Sequence, residues 1–94
     1  MAKVNPPIPK GYQQLTNLTT AKLVTIPRGT NFAIIRCTGG DVRWRADGTP
    51  PTAGTGYPLY EGEELEYDSV QDLPGLTFIA MEGTPEVSLS YYGV

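Results

Sequence analysis

Apolar and polar residues alternate over short runs along this chain, and glycine or proline closes almost every run. Period-two alternation puts one set of side chains on each face of an extended strand. Nowhere do apolar residues recur at helical spacing over three turns. The pattern predicts strands at Tyr12 to Leu18 and at Lys22 to Ile26, the latter with Val24 and Ile26 on one face and a tight turn at Pro27, Arg28, Gly29 and Thr30. Phe32 to Cys37 is the most hydrophobic run and is expected to be buried on both faces at its centre. Gly39, Gly40 and Asp41 are then expected to form a hairpin into Val42 to Arg45. Tyr57 to Tyr60 and Glu64 to Tyr67 flank a turn at Glu61, Gly62 and Glu63, with Leu65 and Tyr67 inward and Glu64 and Glu66 outward. A further turn is placed at Asp72 to Gly75. Leu76 to Met81 and Val87 to Tyr92, separated by Gly83, Thr84 and Pro85, complete eight short strands. That number and spacing predict a small single-domain all-β sandwich, jelly-roll-like, over residues 12–94.

Two segments break the alternation. Residues 1–11, MAKVNPPIPKG, hold three prolines and two lysines and are expected to form an extended N-terminal arm, with Val4 and Ile8 either solvated or anchored on a neighbour. Ala46 to Gly56 contains three glycines, two adjacent prolines, three threonines and an aspartate, a composition that cannot sustain a ladder of backbone hydrogen bonds. A loop of this length in so small a domain is expected to serve docking or function. Before it, Val42 and Trp44 share one strand face and Arg43 and Arg45 the other.

Charge sharpens this picture because it is divided along the chain. Residues 1–45 carry all seven basic residues and one acid, Asp41, a net +6; residues 46–94 carry the other nine acids and no base, a net −9. Either strands of the two halves pair and the charges neutralise across the sheets, or one surface is basic and another acidic and favours heterologous contact. No run approaches the roughly 20 apolar residues of a membrane-spanning helix, and the N-terminus lacks the apolar core of a signal peptide, so a soluble chain that is not exported through a cleaved signal is expected. With 94 residues, folding removes only about 60–65% of the unfolded chain's surface, which leaves room for partners to contribute stability.

The chemistry is narrowed by what is missing. There is no histidine, so the usual general base, the commonest zinc ligand and the Ser-His-Asp and Cys-His pairs are absent. Neither phosphate-binding glycine motif occurs, and Gly54 and Gly56 lack a strand-to-helix setting. Glu61, Glu63, Glu64 and Glu66 read as a solvated strand face and turn rather than a catalytic carboxylate pair, with calcium at the turn open but without EF-hand spacing. The single cysteine, Cys37, reads as a small buried hydrophobe, against a reactive role in which Arg36 is the only nearby group able to lower its pKa. Trp44, with Tyr57 and Tyr60 across the loop, fits either core packing or a platform for stacking a sugar or single-stranded nucleic acid; the acidic balance weighs against nucleic acid.

The run Val42 to Thr52 (VRWRADGTPPT), followed by Gly56, Leu59 and Glu61 to Glu63, with Ile26 to Thr30 (IPRGT) before it and Val87 to Tyr92 (VSLSYY) at the close, resembles small β-sandwich structural proteins of tailed bacteriophage virions. The likeness runs from about Leu23 to Tyr92 and is one of layout and of one loop. It implies a non-enzymatic virion component assembled in the host bacterial cytoplasm. The role most directly implied is a head decoration or cementing protein that contacts the major capsid protein or other virion proteins, often as a homo-oligomer. A tail or host-surface role lies within the same group. The resemblance implies no catalytic residue, metal, cofactor, nucleic acid or membrane. Two functions from different classes therefore stand as expectations: a capsid-stabilising interaction protein, and a carbohydrate-binding module. The candidate contact residues are Val4, Ile8 and Lys10 in the arm, and Arg43, Arg45, Asp47, Pro50, Pro51 and Tyr57 around the loop.

Overall fold

The computed structural model describes residues 8–68 and 75–93. They form eight strands: β1 (Ile8–Leu15), β2 (Lys22–Leu23), β3 (Thr30–Thr38), β4 (Val42–Arg45), β5 (Tyr57–Leu59), β6 (Glu64–Asp68), β7 (Thr77–Ala80) and β8 (Glu86–Gly93). Two four-stranded antiparallel sheets result, ordered β1-β8-β3-β6 and β2-β7-β4-β5. The pairs are nested: β1 with β8, β2 with β7, β3 with β6 and β4 with β5. A long two-stranded ribbon, folded at the 46–56 loop and wound so that successive rungs fall in alternate sheets, has this topology. It is the winding of a jelly roll, closed by the β3·β8 and β4·β7 pairs.

Strand alternation builds the core. Leu15, Ala33, Ile35, Cys37, Val87, Leu89 and Tyr91 from the first sheet meet Val42, Leu59, Phe78 and Ala80 from the second, and Leu18, Val24 and Leu76 fill the ends. Side chains of the intervening positions Gln14, Arg36, Glu64, Glu66, Ser88 and Ser90 are exposed or half-buried. Two polar groups at the margin of the core share one acceptor on Gln13. The Tyr91 hydroxyl donates to Gln13 Oε1 at 3.0 Å, and the Thr25 N–H donates to the same oxygen at 3.0 Å, which ties β1 to the chain beyond β2. Burial pushes the Tyr91 hydroxyl up to about 12.

Three sequence expectations are corrected. Gly39 to Asp41 is no hairpin: β3 and β4 lie in different sheets, and the segment carries the chain across the sandwich, with the Met81 N–H donating to the Asp41 carbonyl at 2.9 Å. Local glycine signals mark where the chain turns, not which sheet receives the next strand. The first strand begins at Ile8 rather than Tyr12, so Ile8 to Gly11 pair with β8 instead of belonging to an arm; an irregularity between Pro9 and Gly11 and the edge position of β1 accommodate the proline. Residues 1–7 lie outside the described residues, as does the turn at Asp72 apart from Gly75. In β3, consecutive burial occurs at Phe32 and Ala33, at the start of the run, whereas Ile34 is half-buried and Arg36 exposed.

The charge division follows the first of its two readings, in which strands of the two halves pair. Nested pairing makes every neighbouring strand pair join one of β1–β4 to one of β5–β8, so strands of the basic and acidic halves interleave in both sheets. Arg36 on β3 and Glu64 on β6 form one such cross-half ion pair, at 3.0 Å. Both partners are substantially exposed, and a pair of this kind adds about 0–1 kcal/mol.

Candidate functional site

The site is built around the 46–56 loop, the fold point of the ribbon. Its tip is a miniature hairpin, in which Thr52 N–H donates to Thr55 O at 2.9 Å and Thr55 N–H donates back to Thr52 O at 3.1 Å. Arg43 clamps this tip to β4, donating from Nε to Ala53 O at 2.9 Å and from Nη1 to Gly56 O at 3.0 Å. A guanidinium suits the task because its rigid fork reaches two carbonyls at once. Gly56 has φ 138° and sits where a Cβ would lie 3.0 Å from Pro51 Cβ and 3.2 Å from Trp44 O, so only glycine lets the returning strand pass. On the other flank, a Cβ on buried Gly75 would fall on the backbone of Gly48, and this contact holds the loop against the start of β7.

The base of the loop is held by Asp47. Its Oδ1 accepts from Arg45 Nε at 3.1 Å and from the Thr49 N–H at 3.2 Å, and its Oδ2 accepts from Arg45 Nη2. This two-point fork fixes both side chains. Hydrogen bonding from Arg45 and from the Thr49 N–H holds the Asp47 carboxyl below its ordinary value, and the same contact raises Arg45.

Beside the fork, three aromatic side chains from three strands and both sheets converge. Trp44 on β4 lies 5.2 Å from Tyr57 on β5, tilted by 38°, and 5.7 Å from Tyr67 on β6, edge-on at 82°. These rings, with Arg45, Ala46, Asp47, Thr55 and Gly56, line a cleft of about 680 Å³. Trp44 also packs on the core, half-buried, and leaves part of its ring to the cleft. Tyr60, expected in the platform, does not line the cleft. Tyr67 takes its place. In the sequence Tyr67 is indistinguishable from a core residue, since its inward parity is that of Leu65; it reaches the cleft because β6 is an edge strand beside the open end of the sandwich.

The other expected contact residues divide between two edges. Arg45, Asp47 and Tyr57 belong to the cleft. Arg43 donates two of its hydrogen bonds to the loop carbonyls. Pro50 is exposed and, with Leu23, Ala21, Gly48, Gly75 and Thr77, lines a second, smaller groove of about 400 Å³ between the loop and β2. Pro51 is buried, contrary to a contact role, because it packs against Gly56 where the loop closes. Ile8 and half-buried Lys10 lie on β1, the far edge of the first sheet from β6, and Val4 lies outside the described residues.

The acidic run is absorbed locally. Glu63 Oε1 accepts from the Tyr60 N–H at 2.8 Å, Glu61 Oε2 from the Gly39 N–H at 3.3 Å, and Glu64 pairs with Arg36, so three of the four carboxylates brace turns and strands. Among the described residues no group of three or more histidine, cysteine, aspartate or glutamate side chains could hold a metal ion. Cys37 is fully buried and its Sγ donates to Leu59 O at 3.3 Å; burial, reinforced by the Asp41 charge, pushes the thiol up to about 11. Comparison of the chain with protein-family models, with curated protein sequences and with solved structures finds no match in any of the three.

Proposed function

We propose that this chain is a non-enzymatic structural protein of a tailed-bacteriophage virion that attaches to the head and reinforces the capsid lattice through contacts with the major capsid protein or another virion protein. The observation that carries the reading is the exposure of large apolar side chains on β1 and β2, the terminal strands of the two sheets. Ile8, Tyr12 and Leu23 are 49, 62 and 57% exposed there, and Leu23 borders the groove that also takes Pro50. A terminal strand presents an unpaired row of backbone donors and acceptors, and a large exposed apolar side chain on it gains by being covered. The resemblance of the Val42 to Thr52 run and its flanking motifs to virion β-sandwiches supports the same assignment.

The test is attachment to purified heads that lack this chain, followed by co-sedimentation and electron microscopy. Wild type is expected to sediment with the heads at a fixed copy number per capsid subunit, and Ile8→Asp and Leu23→Asp are expected to remain folded yet stay in the supernatant. Wild type that never sediments with heads, or edge variants that attach as wild type does, would overturn the assignment.

A further inference from the structure

Attachment through β1 and β2 leaves unused the aromatic cleft beside β5 and β6, the opposite terminal strands. We propose that this cleft binds a neutral sugar residue of a glycan, stacked on Tyr57 and Trp44 and hydrogen-bonded through its hydroxyls to the Arg45–Asp47 fork.

Three properties of the cleft select this occupant. The first is exposure: Tyr57 is 66% exposed although its ring rests on Trp44, so a large apolar surface is presented in a concavity instead of being covered by the fold. The negative face of an aromatic ring attracts the weakly positive C–H bonds on the flat face of a pyranose. The second is charge. Arg45 and Asp47 cancel, and their fork offers carboxylate lone pairs beside a guanidinium whose Nη1 lies outside the pair. A vicinal diol, which both donates and accepts, satisfies such a fork. An anion would meet Asp47, and an apolar side chain from a protein would bury the fork with nothing to replace its water. The third is size, since about 680 Å³ falls in the range of small-ligand sites and holds one ring with part of a neighbour. The fork is already held by Thr49 and the loop by Arg43, so little ordering is required on binding.

The chain has a single tryptophan, so emission from Trp44 reports the cleft directly. Methyl β-glucoside, methyl β-galactoside, methyl α-mannoside and N-acetylglucosamine are titrated into the full chain, with N-acetylneuraminic acid as the anionic control. At least one neutral sugar is expected to give a saturable change with a dissociation constant of about 1–10 mM, the range open to a ligand of roughly a dozen heavy atoms. Tyr57→Ala and Asp47→Ala should weaken it by about tenfold or more, equivalent to one good hydrogen bond or stacked face. Both positions are exposed, and unchanged far-ultraviolet circular dichroism verifies the fold. Tyr60→Ala, outside the cleft, should bind as wild type. The inference fails if none of the four neutral sugars saturates, if Tyr57→Ala binds unchanged, or if the anionic sugar binds more tightly than every neutral one.

Discussion

Arg43 carries the sharpest prediction because the structure moves it from the protein's exterior to its interior organisation. Were it a solvent-facing contact residue, Arg43→Ala would change stability by a few tenths of a kcal/mol. Instead it donates to Ala53 O and Gly56 O, two carbonyls separated by the turn of the loop tip. A hydrogen bond from a charged donor contributes about 1.5–3 kcal/mol when buried and less when water can replace it. The bond to Ala53 is exposed and the one to Gly56 partly buried, so the sum expected is about 1–2 kcal/mol. In a domain of this size each kcal/mol lowers Tm by about 4–8 °C. Arg43→Ala should therefore melt roughly 5–15 °C below wild type in a calorimetric or circular-dichroism scan. Arg43→Lys should recover less than half of this, since an ammonium cannot span two carbonyls with a rigid fork. Amide hydrogen exchange adds a local readout: Thr52 and Thr55, whose N–H groups close the tip, should lose protection, while Ile35 and Leu89 in the core should change only with global stability. An unchanged Tm together with unchanged protection at Thr52 and Thr55 would refute the clamp.

Three further outcomes follow from the same geometry. Gly56→Ala should cost about 1–3 kcal/mol, because its Cβ meets Pro51 and the Trp44 carbonyl at a backbone angle that side chains rarely adopt, whereas Gly54→Ala in the same loop, with open space around it, should be near neutral; denaturant titration of the pair checks this. Trp44→Ala should cost about 2–4 kcal/mol, below the value for a fully buried tryptophan because the ring is only half-buried, and Trp44→Phe should recover much of it; equal stability of wild type and alanine variant would remove the ring from the core. Cys37, with its thiol pushed up to about 11, should be nearly inert to iodoacetamide at pH 8 in the folded chain, and labelling at the rate of a free cysteine would contradict its burial. The linkage has a definite sign: between about pH 9 and 11 the unfolded thiol loses its proton while the folded one keeps it, so this group's contribution falls as pH rises through that window.

The sequence by itself determined the strands and which of their side chains point inward. Val87, Leu89 and Tyr91, Phe78 and Ala80, and Val42 are buried as period two requires, and the turns at Pro27 to Thr30 and Tyr60 to Glu63 close where glycine and proline stand. These features are local: parity and turn chemistry act over a few residues and are written in the order of side chains. Partner choice is not local. Whether β4 pairs with β3 or crosses to β7, whether Ile8 joins β8 some 85 positions away, and whether the two charged halves separate or interleave all depend on how a ribbon folded at residues 46–56 winds on itself. The tertiary structure alone sends Arg43 to the loop carbonyls, buries Pro51 beneath Gly56, and brings Tyr67 to Trp44 in place of Tyr60. Each of these contacts joins residues whose proximity is created by sheet pairing, and pairing is selected by burial summed over the whole core rather than by any residue's own preference.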